Sequence, residues 1–81
     1  MKLNQIHDNP PKGVNFTAYY YDGSGARLFH WTKEGQIVDV RDEYICEGDE
    51  VQDWLCDADY GWWTELPADF QFWYMKKDPA I

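Results

Sequence analysis

Carboxylates are the groups in this sequence with the numbers and spacing to do chemistry. Asp39, Asp42, Glu43, Glu47, Asp49, Glu50, Asp53, Asp57 and Asp59 fall in one stretch whose sole base is Arg41, an imbalance equal to the whole formal net charge of −8. Three chemistries use such a set. Paired carboxylates act as general acid and base, alternate carboxylates around a sharp turn wrap calcium, and a dense field of them attracts a basic surface. The first needs two acids in a shielded site, and acids this numerous on an open face are solvated. Asp57, Asp59 and Gly61 resemble part of a calcium loop, but the glycine is out of register and no terminal bidentate glutamate follows at the required distance. The third chemistry remains. It predicts a binding protein, not an enzyme, with no metal and no cofactor.

The other reactive side chains do not change this reading. Cys46 and Cys56 are the only cysteines, and their spacing fits no common zinc pattern. His7 and His30 are the only histidines, and His30 beside Trp31 in a strand-like run reads as a packed residue. Both thiols are expected to be free, with Cys56 in the core. Asp22-Gly23-Ser24-Gly25 reads as a hairpin turn, because a phosphate loop needs further glycines at set spacing and a lysine before a helix.

The acids need elements to position them. Asn9-Pro10-Pro11-Lys12-Gly13 cannot continue a helix or central strand, so residues 1–13 are expected to form an arm and turn, with Ile6 and His7 at a sheet edge. Val14–Tyr21 alternates as a strand, Val14, Phe16, Ala18 and Tyr20 facing the core and Tyr19 and Tyr21 facing a half-polar surface. Ala26–Thr32 follows as a second strand. Ile37–Tyr44 is expected as a third, with Ile37, Asp39, Arg41 and Glu43 on a wet face. Val51, Trp54 and Leu55 at i, i+3 and i+4 predict a short helix over about 50–57, with Asp49 as N-cap, Gln52 completing a capping box, and Glu50, Asp53 and Asp57 outward. Tyr60-Gly61 should end it. Trp62–Leu66 and Phe70–Lys76 then read as strands joined at Pro67, and residues 77–81 as a tail. The expected fold is one α+β domain over 1–81, a single antiparallel sheet of four to five strands with one acidic helix.

Composition bounds the partners. The charge excludes nucleic acid and anionic membrane as direct ligands, since both demand a basic face. A chain of 81 residues must pack its core densely, and five Trp, six Tyr and four Phe are more rings than so small a core can hide. Tyr19, Tyr21, Trp62 and Trp63 are the aromatics expected to offer surface contacts. With no run of about 20 apolar residues and no charged-then-apolar leader, a cytoplasmic site is the expectation.

Asp8-Asn9-Pro10-Pro11-Lys12-Gly13-Val14, the tyrosine-rich strand with Asp22-Gly23, and Phe72-Trp73-Tyr74-Met75 together resemble a family of short phage and prophage proteins of unknown function. That family has an early Pro-Gly turn and a terminal tryptophan segment; this chain lacks the family's closing Pro-Leu-Pro and carries the acidic stretch in addition. The resemblance implies a phage accessory protein and brings no activity. Joined to the charge, it leads to the expectation of an inhibitor that presents carboxylates where phosphates would sit on a basic, nucleic-acid-binding host protein. Such a DNA mimic would be of the anti-CRISPR or anti-restriction kind. The alternative is a scaffolding or assembly module, a homodimer among its forms, that binds through exposed aromatics while the acids supply solubility.

Overall fold

Turn residues and the two-residue period of the strands decide most of this architecture. The computed structural model describes residues 3–39 and 43–67, so the expected strand Phe70–Lys76, the tail and Asp42 lie outside the described residues. Six strands form one antiparallel sheet: β1 (Asn4–Gln5), β2 (Phe16–Tyr20), β3 (Ala26–Trp31), β4 (Gln36–Asp39), β5 (Tyr44–Glu47) and β6 (Tyr60–Glu65). Their spatial order is β1-β6-β2-β3-β4-β5. A 3-10 turn (Gly48–Glu50) leads into the single helix α1 (Val51–Asp57). The α+β class with one sheet and one short helix is as expected, but there are more strands. Among the described residues no helix is long and apolar enough to cross a membrane.

The meander β2-β3-β4 follows from its turns. Asp22 Oδ1 accepts the Ser24 N–H at 2.9 Å, and Tyr20 N–H donates to Gly25 O at 2.9 Å, closing the first hairpin. Thr32 N–H donates to Gln36 O at 2.8 Å to close the second. Pairing of Phe16 with Phe29 and of Phe29 with Asp39 then fixes which residues share a face. Phe16, Ala18, Phe29, Ile37 and Cys46 are buried on the side that α1 covers, together with Val51 and Leu55 of the helix. Rings do most of the filling. Phe29 stacks on Phe16 with centroids 5.2 Å apart and meets Trp54 and Tyr60 edge-on at 5.7 and 6.0 Å.

Four expectations need correction. Ile37–Tyr44 is not one strand: the chain reverses between β4 and β5, Asp39 N–H donating to Glu43 O at 3.1 Å, and both Ile37 and Asp39 lie buried on the face expected to be wet. The N-terminal segment is no detached arm, because Asn4 and Gln5 pair with Trp63 and Trp62, and Ile6 and Pro11 are fully buried. The capping box does not form. The extra 3-10 turn shifts the helix start to Val51, no side chain caps it, and Gln52 instead donates to the His7 carbonyl at 2.8 Å. Tyr60-Gly61 is not the break after the helix but the start of β6; the chain turns out of α1 one step earlier, at Asp59 with φ 66°, since aspartate is among the few residues besides glycine that tolerate the left-handed region.

Gly48 is where the acidic segment is tied to the sheet. Its N–H donates to Gly35 O at 2.8 Å, and it lies against the Trp31 ring. A Cβ here would overlap Trp31 Cζ3 and the Gly35 carbonyl oxygen, with Cη2 at 3.0 Å. Gly48→Ala is therefore expected to destabilise the protein by about 1–3 kcal/mol, the usual range for overpacking. An unchanged midpoint in urea would show that this close approach is dispensable.

Candidate functional site

The acids separate into one buried residue and an exposed field. Asp39, only 3% exposed, accepts a hydrogen bond and ion pair from Arg27 Nη2 at 2.7 Å. Asp39 therefore faces the core and not a partner, a correction whose cause is its register opposite Phe29. The guanidinium also stands over the Phe29 ring, 5.5 Å from its centroid. Burial pulls the Arg27 pKa down, but the hydrogen bond to Asp39 and the charges of Asp39 and Tyr60 together outweigh it, and the net direction is up. Glu43, Glu47, Asp49, Glu50, Asp53, Asp57 and Asp59 are all exposed. Asp59 stands apart from the others, past the far end of α1.

Glu50, Asp53 and Asp57 line one groove of about 310 Å³ with Trp54 from α1 and Tyr44, Ile45 and Cys46 from β5. The helical repeat puts them there, as positions three and four residues apart share a face. Tyr44 donates its hydroxyl hydrogen to Glu47 Oε2 at 2.8 Å, and Gln36 Nε2 donates to the same oxygen at 3.1 Å. Among the described residues no base forms an ion pair with a carboxylate of this groove.

The field is felt by its neighbours. Burial pushes the Cys46 thiol up to about 11, with Glu50, Glu47 and Asp49 adding to the rise. The hydrogen bond to Glu47 raises the exposed Tyr44 phenol to about 12. Burial also raises the Cys56 thiol, helped by Asp53 and Asp57. Cys46 and Cys56 are free as expected, but Cys56, expected in the core, is only half-buried at its edge, while Cys46 lies in the core. His7 Nδ1 lies 3.6 Å from Cys56 Sγ. A thiol raised in this way is protonated near neutral pH and is not an activated nucleophile.

The aromatic candidates also divide. Trp63 is 8% exposed and its indole N–H donates to the Asn9 carbonyl, so it belongs to the core and not to the surface. Tyr19 is half-buried, its hydroxyl 3.3 Å from Thr64 Oγ1. Tyr21 is 71% exposed and stacks on Trp62, centroids 5.9 Å apart and planes 7° from parallel. Sequence reasoning passed over Tyr44 and Trp54 as members of the acidic groove. Trp54 at i+4 from Glu50 carried that signal, but it was absorbed by the core pattern. Among the described residues no three His, Cys, Asp or Glu side chains are grouped to hold a metal ion.

An antiparallel α+β domain with an acidic, aromatic-lined groove is the class defined by fold and site. Comparison with known proteins returned no matching family model, no similar curated protein and no similar solved structure.

The thiol at the groove wall gives a pH test. Cys46 has a folded pKa above the ordinary 9.0, so its contribution to stability is intact below about pH 9 and is lost as pH rises towards 11. The melting temperature should fall across that window, and the fall should shrink in Cys46→Ala. An identical alkaline slope in the variant would place the loss on Tyr44 and the other phenols.

Proposed function

We propose that this protein is a non-enzymatic acidic binding domain that occupies the basic, nucleic-acid-binding surface of another protein. The observation that carries the reading is the groove of Glu50, Asp53 and Asp57 around Trp54, which has carboxylates on its rim, an aromatic floor and no described base to quench it. Over the seven steps from Glu50 to Asp57 a helical rise of 1.5 Å per residue spreads these charges along roughly 10 Å. Phosphates along one DNA strand recur about every 3.4 Å of axis, so the three carboxylates span the length of about three phosphates. Glu43, Glu47 and Asp49 extend the field beyond the groove. A cationic cleft evolved for phosphates would be attracted to it and blocked by it.

Together with the resemblance to short phage proteins, this makes a phage-encoded inhibitor acting in the host cytoplasm, a DNA mimic of the anti-CRISPR or anti-restriction kind, our reading of its role. Asp42 belongs to the same acidic stretch by sequence. Its companion Asp39 is removed from the contact set, since it is buried and paired with Arg27.

The test combines capture with mutation. Immobilised protein should retain a basic partner from bacterial lysate at low salt, and release it with about 0.5 M salt or with excess duplex DNA, because exposed charges are screened within a few ångströms at high ionic strength. The variant Glu50→Gln, Asp53→Asn, Asp57→Asn should be at least as stable as the parent, since repulsion among crowded like charges is relieved, while its affinity for that partner falls about tenfold or more. Undiminished binding by the triple variant would reduce the acidic groove to a solubility device.

A further inference from the structure

A second site lies past the C-terminal end of α1, where three departures from regular structure coincide. Asp59 holds a left-handed backbone conformation, φ 66°. The β2–β6 register slips there, Tyr19 pairing with Trp62 but Tyr20 with Tyr60, so that Gly61 is the extra residue of a bulge. Gly61 also lets the neighbouring strand approach: a Cβ on it would lie 3.2 Å from Tyr21 Cδ1 and 3.4 Å from Tyr21 Cα. Bulges and strained residues concentrate where a fold re-aims side chains for use. Here they re-aim Tyr21, Trp62 and Asp59.

The result is a pocket of about 340 Å³ lined by Gln5, His7, Tyr21, Asp59, Tyr60 and Trp62 among others. Tyr21 and Asp59 also wall a second hollow of about 400 Å³, shared with Asp22 and Ser24. The Asp22 carboxyl is held below its ordinary value by its hydrogen bonds with Ser24. The ring of Tyr21 thus stands between two hollows with a carboxylate available to each. Its near-parallel stack with Trp62 presents broad π faces, whose negative quadrupole attracts cations.

We propose that this pocket binds a guanidinium group, the arginine side chain of a protein partner, with its plane against the exposed aromatic faces and its N–H fork towards Asp59. A planar, weakly hydrated cation matches both features: it stacks on rings and pairs with a carboxylate through two N–H groups, whereas an ammonium keeps its water and cannot stack. Charge selects against a nucleotide, since its phosphate would meet a chain of net charge −8. The source of the arginine rests on the reading of a basic protein partner, but the pocket can be tested without that partner.

The experiment is a titration of the full chain with N-acetyl-arginine-N′-methylamide at constant ionic strength, followed by two-dimensional proton–nitrogen NMR at the Trp62 indole and the Gly61 amide. Saturable shifts at both, with millimolar affinity, are expected. The citrulline analogue, of the same shape without the charge, should give none. Asp59→Asn should weaken binding about tenfold or more while keeping the turn, because asparagine also tolerates positive φ. Tyr21→Ala, at an exposed side chain, should do the same without touching the turn's backbone. The triple variant of Glu50, Asp53 and Asp57 should still bind, which separates this pocket from the acidic groove. Absence of saturable shifts in the parent chain, equal binding of the citrulline analogue, or undiminished binding by both Asp59→Asn and Tyr21→Ala would overturn the proposal.

Discussion

Among the described residues one short helix covers one face of a six-stranded sheet, and the packing around it answers to that mismatch. Seven residues make a helix about 10 Å long, while six strands spaced at about 4.8 Å span roughly 24 Å. Aliphatic side chains on so small a helix cannot shield the remainder. Rings close the gap: Phe29 at the centre touches Phe16, Trp54 and Tyr60, and Tyr20 stacks on Tyr60 at 4.5 Å. On the other flank the N-terminal segment lays Ile6 and Pro11 into the core beside Trp63, whose N–H is taken up by the Asn9 carbonyl. The high aromatic content is thus largely an architectural requirement. Among the described residues aromatic surface is left over at Tyr21, where the helix stops, and at Tyr44 on β5.

The Arg27–Asp39 pair serves the same constraint from the polar side. Opposite Phe29 on the covered face, a buried carboxylate carries a desolvation cost, which the guanidinium of half-exposed Arg27 offsets. Together they bridge β3 and β4, with the guanidinium also capping the Phe29 ring. Because this pair is neutral as a unit, it leaves the charge of the surface as negative as that of the whole chain. The acids of the 3-10 turn and of α1 then sit on the outside of the one element that the sheet depends on for its cover.

Local patterns were legible where local physics decides. The β2-β3-β4 meander could be read from Asp22-Gly23 and Gly35 with the alternation around Phe16, and α1 from Val51, Trp54 and Leu55. Asp39 was misplaced because its fate depends on Arg27, twelve positions earlier in sequence and adjacent only across the sheet. The reversal after β4 was missed for the same reason: charged residues at alternate positions look like a solvated strand face until a partner strand claims them. Asp49 and Gln52 had the spacing of a cap, but a 3-10 turn intervened and Gln52 found the His7 carbonyl, a contact across 45 positions that no window can show. Cys46 could not be placed in the core without the register that sets it opposite Ile37 at the covered face. At the sites, the crowding of Glu50, Asp53 and Asp57 was visible in the helical repeat. The hollow at Tyr21, Asp59 and Trp62 was not, since it arises from a bulge.

β5 is an edge of the sheet among the described residues, and it runs directly into the acidic turn. An exposed strand edge is a template on which a second copy of the same chain can add, and a domain rich in rings would gain much by such addition. Here two copies meeting edge to edge would bring Glu43, Glu47 and Asp49 of each against their counterparts in the other. Like charges held that close repel strongly, so the acidic stretch opposes the addition of a second copy along this edge.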